Sequence, residues 1–323
     1  MRDRRLDNVK ALMMFCVALG HISGAFDLGG PVYQILYTFH MPVFIFISGW
    51  VARPTRRGFL SLFGLYAITQ LADFLFYRVS FPQWTGDLTL RLSEPYMFQW
   101  YLMSLMTYLL LLPLLDAKGP LAGAVTVGVC FAVSVLAGFD RNIGYVFSLS
   151  RTLVYLPFFA AGHIIGSARR GKEPLSPRLR LMGCAVCLPV MVFGIVFALR
   201  HPLPYNFLYG SEAYVRFLMP PWQAAGTRAL YLGLGAAWTG FFMLALPDVK
   251  IPVLTRVGEN TLPVFILHGY VAALLFKHGF FGENVVHNWL WAVILSALCC
   301  VLFALPPLRS LMCFKSPIDI KKE

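Results

Sequence analysis

The chain has 323 residues, 58% of them apolar and only 13% charged, with a mean hydropathy of +0.68 and a net charge of +12. A soluble domain carries about 25% charged residues, so this composition excludes a soluble globular protein and points to an all-α polytopic membrane protein. The positive excess is read as topogenic charge in loops, which excludes nucleic acid as a partner and names the lipid bilayer instead.

Ten apolar segments are long enough to span a bilayer, at about 6–25, 32–52, 58–77, 98–116, 120–138, 149–167, 181–199, 228–246, 260–278 and 288–308. The first is expected to be a retained span, because its start is too charged for a cleaved signal peptide. With ten transmembrane helices and the N-terminus inside, nineteen Lys and Arg fall on one face and eight on the other. That bias predicts an N-in/C-in topology with 315–323 as a short cytoplasmic tail. No fixed repeat or low-complexity stretch divides the chain, so 1–323 is expected to be one membrane-embedded domain.

The first span carries an unusual stripe. Lys10 and His21 stand eleven positions apart, close to three helical turns, which puts them on one face about 16 Å apart along the axis. Asp7 falls near the same line and is placed to pair with Lys10 at i,i+3. Ionisable groups inside a span are costly and therefore candidates for function. His40 follows in the second span, and an antiparallel hairpin would hold both imidazoles in the outer half of the bilayer. After that span comes Arg53-Pro54-Thr55-Arg56-Arg57, which reads either as topogenic charge or as a cationic cup for a polyphosphate.

Later spans offer weaker candidates: Gln70 and Asp73, Trp100 and Tyr101, Arg151 with Tyr155, and Thr261 with His268. Each reads equally well as packing or a cap. Residues 200–227 form an outer loop rich in Pro, Tyr and Trp, either a stacking platform for an acceptor or an interfacial aromatic belt. Seven cysteines are present, none in a predicted outer loop, so no disulfide framework is expected. No His/Cys/Asp/Glu trio has metal-ligand spacing, and no metal is assigned. A polytopic transporter or flippase of a glycan or small metabolite fits the same composition.

RLDNVKALMMFCVALGH and YTFHMPVFIFISGW, taken in tandem, resemble the first- and second-span signatures of the integral-membrane acyltransferase family 3, particularly its fucose 4-O-acetylase-like branch. Arg53-x-x-Arg56, WYLMSLMTY, RTLVYLPFFAAGHIIG and GENTLPVFILHGY are similar to further family patterns, and the chain resembles the short, stand-alone members. The resemblance implies an O-acyltransferase of the cell membrane that moves an acyl group, usually from cytoplasmic acetyl-CoA, to a hydroxyl of a glycan or glycoside. On that footing His21 is expected to act as the base or to be acylated transiently itself, and base work suits an imidazole that titrates near pH 6.5 when unperturbed. Lys10, Arg53 and Arg56 are expected to hold the CoA phosphates. His40 and Arg151 are expected to orient the acceptor or stabilise the oxyanion.

Overall fold

The computed structural model describes residues 3–24, 28, 30–53, 55–84, 86, 88–96 and 98–311. The expected tail 315–323 lies outside them. The helices in chain order are α1 Arg4–Gly24, α2 Pro31–Val51, α3 Arg56–Ser80, α4 Trp100–Leu115, α5 Pro120–Leu136, α6 Leu149–Arg169, α7 Pro177–Arg200, α8 Tyr205–Leu208, α9 Pro221–Ala245, α10 Pro252–Glu259, α11 Thr261–Lys277, α12 Val285–Phe303 and α13 Pro306–Leu311. No strand forms among the described residues. Each of the ten apolar segments overlies one helix of 16 to 25 residues. Among the described residues six helices are long and apolar enough to cross a membrane, and α10 with α11 passes the same test as a pair bent by 85°, the form of a broken span or of a re-entrant loop. The chain is an all-helical, multi-pass membrane protein.

Local chemistry sets the helix ends. Thr55 accepts the Gly58 N–H at the start of α3, Ser176 caps α7 ahead of Pro177, and the Asn284 side chain accepts the His287 N–H at the start of α12. Gly119 turns the chain at φ 92°, a left-handed value that suits glycine, and Pro120 then opens α5.

The chain folds as two compact units. The first takes the described residues up to Ile47, Gly171–Pro204, and those from Leu230 onward; the second takes Ser48–Arg170 and Tyr205–Ala229. In the first unit α1 is the interior helix, 72% buried over its apolar window, whereas α7 is only 17% buried and turns Leu181, Val186 and Phe193 outward. An apolar outer face of this kind is suited to lipid. Packing against α9 is close: a Cβ at Gly183 or Gly194 would overlap Leu244 or Leu234. The Arg180 guanidinium then donates to the carbonyls of Leu244 and Leu246 at 2.7 and 2.8 Å, capping the end of α9.

In the second unit α6 is the interior helix. Gly49 and Gly166 lie where a Cβ would meet the backbone of Phe159 and Trp50, so the last turn of α2 crosses α6 at backbone contact. From α4, the Tyr108 hydroxyl donates to the Thr152 carbonyl at 2.8 Å and Ser104 bonds the Thr152 hydroxyl at 2.7 Å. Ser134 of α5 donates to the Val154 carbonyl at 2.8 Å.

Candidate active site

In the first unit α1 is held at both ends by one helix pair. At its start, the Asn8 amide donates to the carbonyls of Pro247 and Val249 at 3.3 and 3.0 Å, and the Thr255 hydroxyl of α10 donates to Asn8 Oδ1 at 2.8 Å. Gly258 of α10 sits directly on the Asp7 carbonyl, where any Cβ would overlap it. Asp7, almost fully buried, pairs with Lys10 Nζ at 2.8 Å. The i,i+3 pairing read from sequence is therefore present.

At the other end of α1, His21 meets His268 of α11. Their rings lie nearly in one plane and meet edge to edge, with centroids 5.0 Å apart and 12° between planes, and His21 Nδ1 lies 2.7 Å from His268 Nε2. His268 is fully buried, and its Nδ1 lies 2.8 Å from the Val264 carbonyl. A carbonyl only accepts, so His268 carries its proton on Nδ1 and its neutral Nε2 is an acceptor. The 2.7 Å contact must then be donated by His21 Nδ1–H. In the neutral pair this leaves the lone pair of His21 on Nε2. One carbonyl at position 264 thus fixes the tautomer of two rings in series.

The break at Asn260 makes this possible. Its side chain donates to the Arg256 carbonyl at 3.0 Å, and the 85° bend lets α10 lie on the start of α1 while α11 brings His268 to its far end. In sequence, GENT and His268 read as a cap and a packing residue. They are the brace that positions His21.

His40 is buried in α2 and donates from Nδ1 to the Leu36 carbonyl at 2.6 Å, so its Nε2 is also an acceptor. Its ring meets Tyr37 edge-on at 4.6 Å, and Tyr37 lies against Gly20, the neighbour of His21. The ring hydrogen-bonded to His21 is thus His268 rather than His40, and His40 follows one side chain further on.

The second unit holds the other candidates. Arg53 is exposed and lines a small cleft with Ser48, Gly58, Leu62, Leu105 and Phe159, beside the 2.7 Å hydrogen bond between Ser48 and Tyr101. Arg56, also exposed, opens α3. Arg151, on the first turn of α6, lies over the faces of Trp100, Tyr145 and Tyr209 at 5.2, 5.6 and 5.9 Å. Phe147 and Ser148, just before α6, both have φ 52° and are the non-glycine residues in the left-handed region among those described. Such strain persists only where the surroundings enforce it.

Gln70 and Asp73 have a structural task. Gln70 donates to the carbonyls of Arg91 and Glu94 at 2.9 and 2.7 Å, and Asp73 accepts from Gln99 Nε2 at 2.9 Å. Gln70 holds the 88–96 loop on α3, and Asp73 holds Gln99 at the start of α4. Tyr96 in that loop has its phenol pushed up from its ordinary value by burial and by the carboxylates of Asp73 and Glu94. Among the described residues no group of three His, Cys, Asp or Glu side chains could hold a metal.

A family model described as an acyltransferase domain matches residues 3–305. The chain is also similar to nodulation protein NolL of Sinorhizobium fredii (strain NBRC 101917 / NGR234), 26% identical over 308 residues, covering 84% of this chain and 79% of that protein. No solved structure matches it significantly. The family match takes in α1, the broken pair α10–α11 and every candidate residue above, so the chain belongs to the acyltransferase 3 family and is a membrane acyltransferase.

Proposed function

We propose that this acyltransferase is an O-acetyltransferase of the cell membrane, moving an acetyl group from cytoplasmic acetyl-CoA to a hydroxyl of a glycan or glycoside. The observation that carries the reading is the His268–His21 relay, which fixes a basic nitrogen on His21 about 16 Å along α1 from Lys10. The ten-span, N-in/C-in topology puts Lys10 at the cytoplasmic surface and His21 deeper in the membrane. An extended pantetheine arm fits that spacing. The family model runs through both units, which supports treating 1–323 as one working domain. The transporter alternative gives way to the family membership.

In the proposed reaction His21 Nε2 takes the proton of the acceptor hydroxyl as its oxygen attacks the thioester carbonyl. The tetrahedral intermediate collapses, the C–S bond breaks, and the CoA thiolate leaves and recovers the proton from His21. His268 holds His21 in the working tautomer, as the orienting group of a catalytic triad does. Lys10, set by Asp7, contributes with Arg53 and Arg56 to binding the CoA phosphates. His40 and Arg151 orient the acceptor or stabilise the oxyanion.

The test is CoA release and acetyl transfer by the purified full chain in proteoliposomes. His21→Ala is expected to lower transfer by about a thousandfold or more while the protein still inserts and purifies as a single species. Transfer at the parent's rate would remove His21 from the chemistry.

A further inference from the structure

Arg228 lies near the start of α9 and is 3% exposed. Its charge has no carboxylate partner among the described residues. The guanidinium rests on the faces of Tyr214 at 4.7 Å and Phe207 at 5.5 Å, with one 3.4 Å bond to the Glu212 carbonyl, and Nη1 is buried without a hydrogen-bond partner. The carboxylate of Glu212 instead accepts from the Asn206 amide at 2.9 Å. A guanidinium buried with an unused N–H and no counter-charge is costly unless something else supplies the anion.

Arg151 packs on the same segment: its guanidinium lies over Tyr209 at 5.9 Å, two residues from Phe207. One turn along α6 from Arg151, the Tyr155 phenol donates to the Leu208 carbonyl at 3.5 Å, and the Tyr155 ring stacks on Trp100 at 5.7 Å. The segment bearing Phe207, Tyr209 and Tyr214 is tied down onto this place. Ser150 donates to the Gly210 carbonyl at 2.7 Å, Tyr145 bonds the Ser211 hydroxyl at 3.2 Å, and Tyr214 donates to the Val135 carbonyl at 2.7 Å. Two cations, from α6 and α9, therefore pack against one tied-down segment that carries Phe207, Tyr209 and Tyr214.

We propose that this cluster is a binding site for an oxyanion carried by the acceptor glycan, so that the enzyme works on an acidic rather than a neutral saccharide. The inference rests on the proposed function. The ring faces fix the two guanidinium planes, and their forks offer paired N–H donors to a carboxylate or phosphate. The exposed edge of Tyr145 supplies an apolar wall for a sugar ring.

The experiment measures binding of three oligosaccharides of equal length to the purified full chain. One carries a uronic acid, one a sugar phosphate, and one is neutral. At least one acidic form is expected to bind ten times or more tightly than the neutral form, and comparison of the two acidic forms tells carboxylate from phosphate. Arg228→Gln is expected to erase that preference, and Arg228→Lys to weaken it while keeping the charge. Tyr145→Ala, at an exposed position, gives a severalfold loss without threatening the fold. Equal binding of acidic and neutral forms, no binding of any, or a preference undiminished in Arg228→Gln overturns the proposal. His21→Ala should keep the preference. An acidic preference without acetyl transfer by the parent protein would overturn the proposed reaction while leaving this anion site standing.

Discussion

In the first unit four polar groups along α1 and its helix pair are matched to partners: Asn8 with Thr255, Asp7 with Lys10, His21 with His268, and His268 with a backbone carbonyl. In the second, Arg151 and Arg228 are held by aromatic faces, and the turn leading into α6 carries two residues of positive φ. The contrast separates two requirements. The base in the proposed reaction needs its own hydrogen fixed beforehand, and the His268 contact does that. The anion site inferred for the second unit needs a donor left over, and Arg228 Nη1, buried without a hydrogen-bond partner, is such a donor.

The largest effect that would break this comparison is expected at His268. His268→Leu removes the acceptor for His21 Nδ1 at similar volume, and kcat should fall about a hundredfold with little change in the acetyl-CoA KM. His268→Gln should recover part of the loss, since its amide oxygen can accept the same hydrogen. No recovery would make His268 a packing residue. Next in size, Arg53→Ala with Arg56→Ala should raise the acetyl-CoA KM about tenfold with kcat held, as expected for lost uniform binding of a polyphosphate. An unchanged KM would leave these arginines a purely topogenic role. The smallest effect is in the strained turn. Phe147 is exposed at φ 52°, so Phe147→Gly should stabilise the protein by up to about 1 kcal/mol, read as a slightly higher Tm in detergent. A lower Tm would mean that the turn is not strained.

Most of the helical plan was legible because apolar runs bounded by charge, Pro and Gly are local signals. The Lys10–His21 stripe was legible for the same reason, since both residues share one helix. The pairing of His21 with His268 was not, because 247 positions separate them and one apolar helix looks much like another. GENT signalled an interruption, but periodicity carries no angle, and the 85° bend decides where His268 goes. Arg228 was counted only as outer-face charge, since burial depends on what folds over it. The aromatic loop at 200–227 was divided between a platform and an interfacial belt. Phe207 and Tyr214 are buried against Arg228, whereas Trp222 and Leu218 remain exposed.

The double clamp on α1 bears on how this sequence can change over time. Thr255 grips Asn8 near one end, His268 grips His21 near the other, and the helix between them is unbroken. Adding or deleting one residue would turn His21 by about 100° and shift it by about 1.5 Å relative to Asn8, releasing one clamp or the other. Between positions 8 and 21, therefore, letters can be exchanged but the count cannot. Variation in length among such chains should gather in the loops and be absent from this stretch.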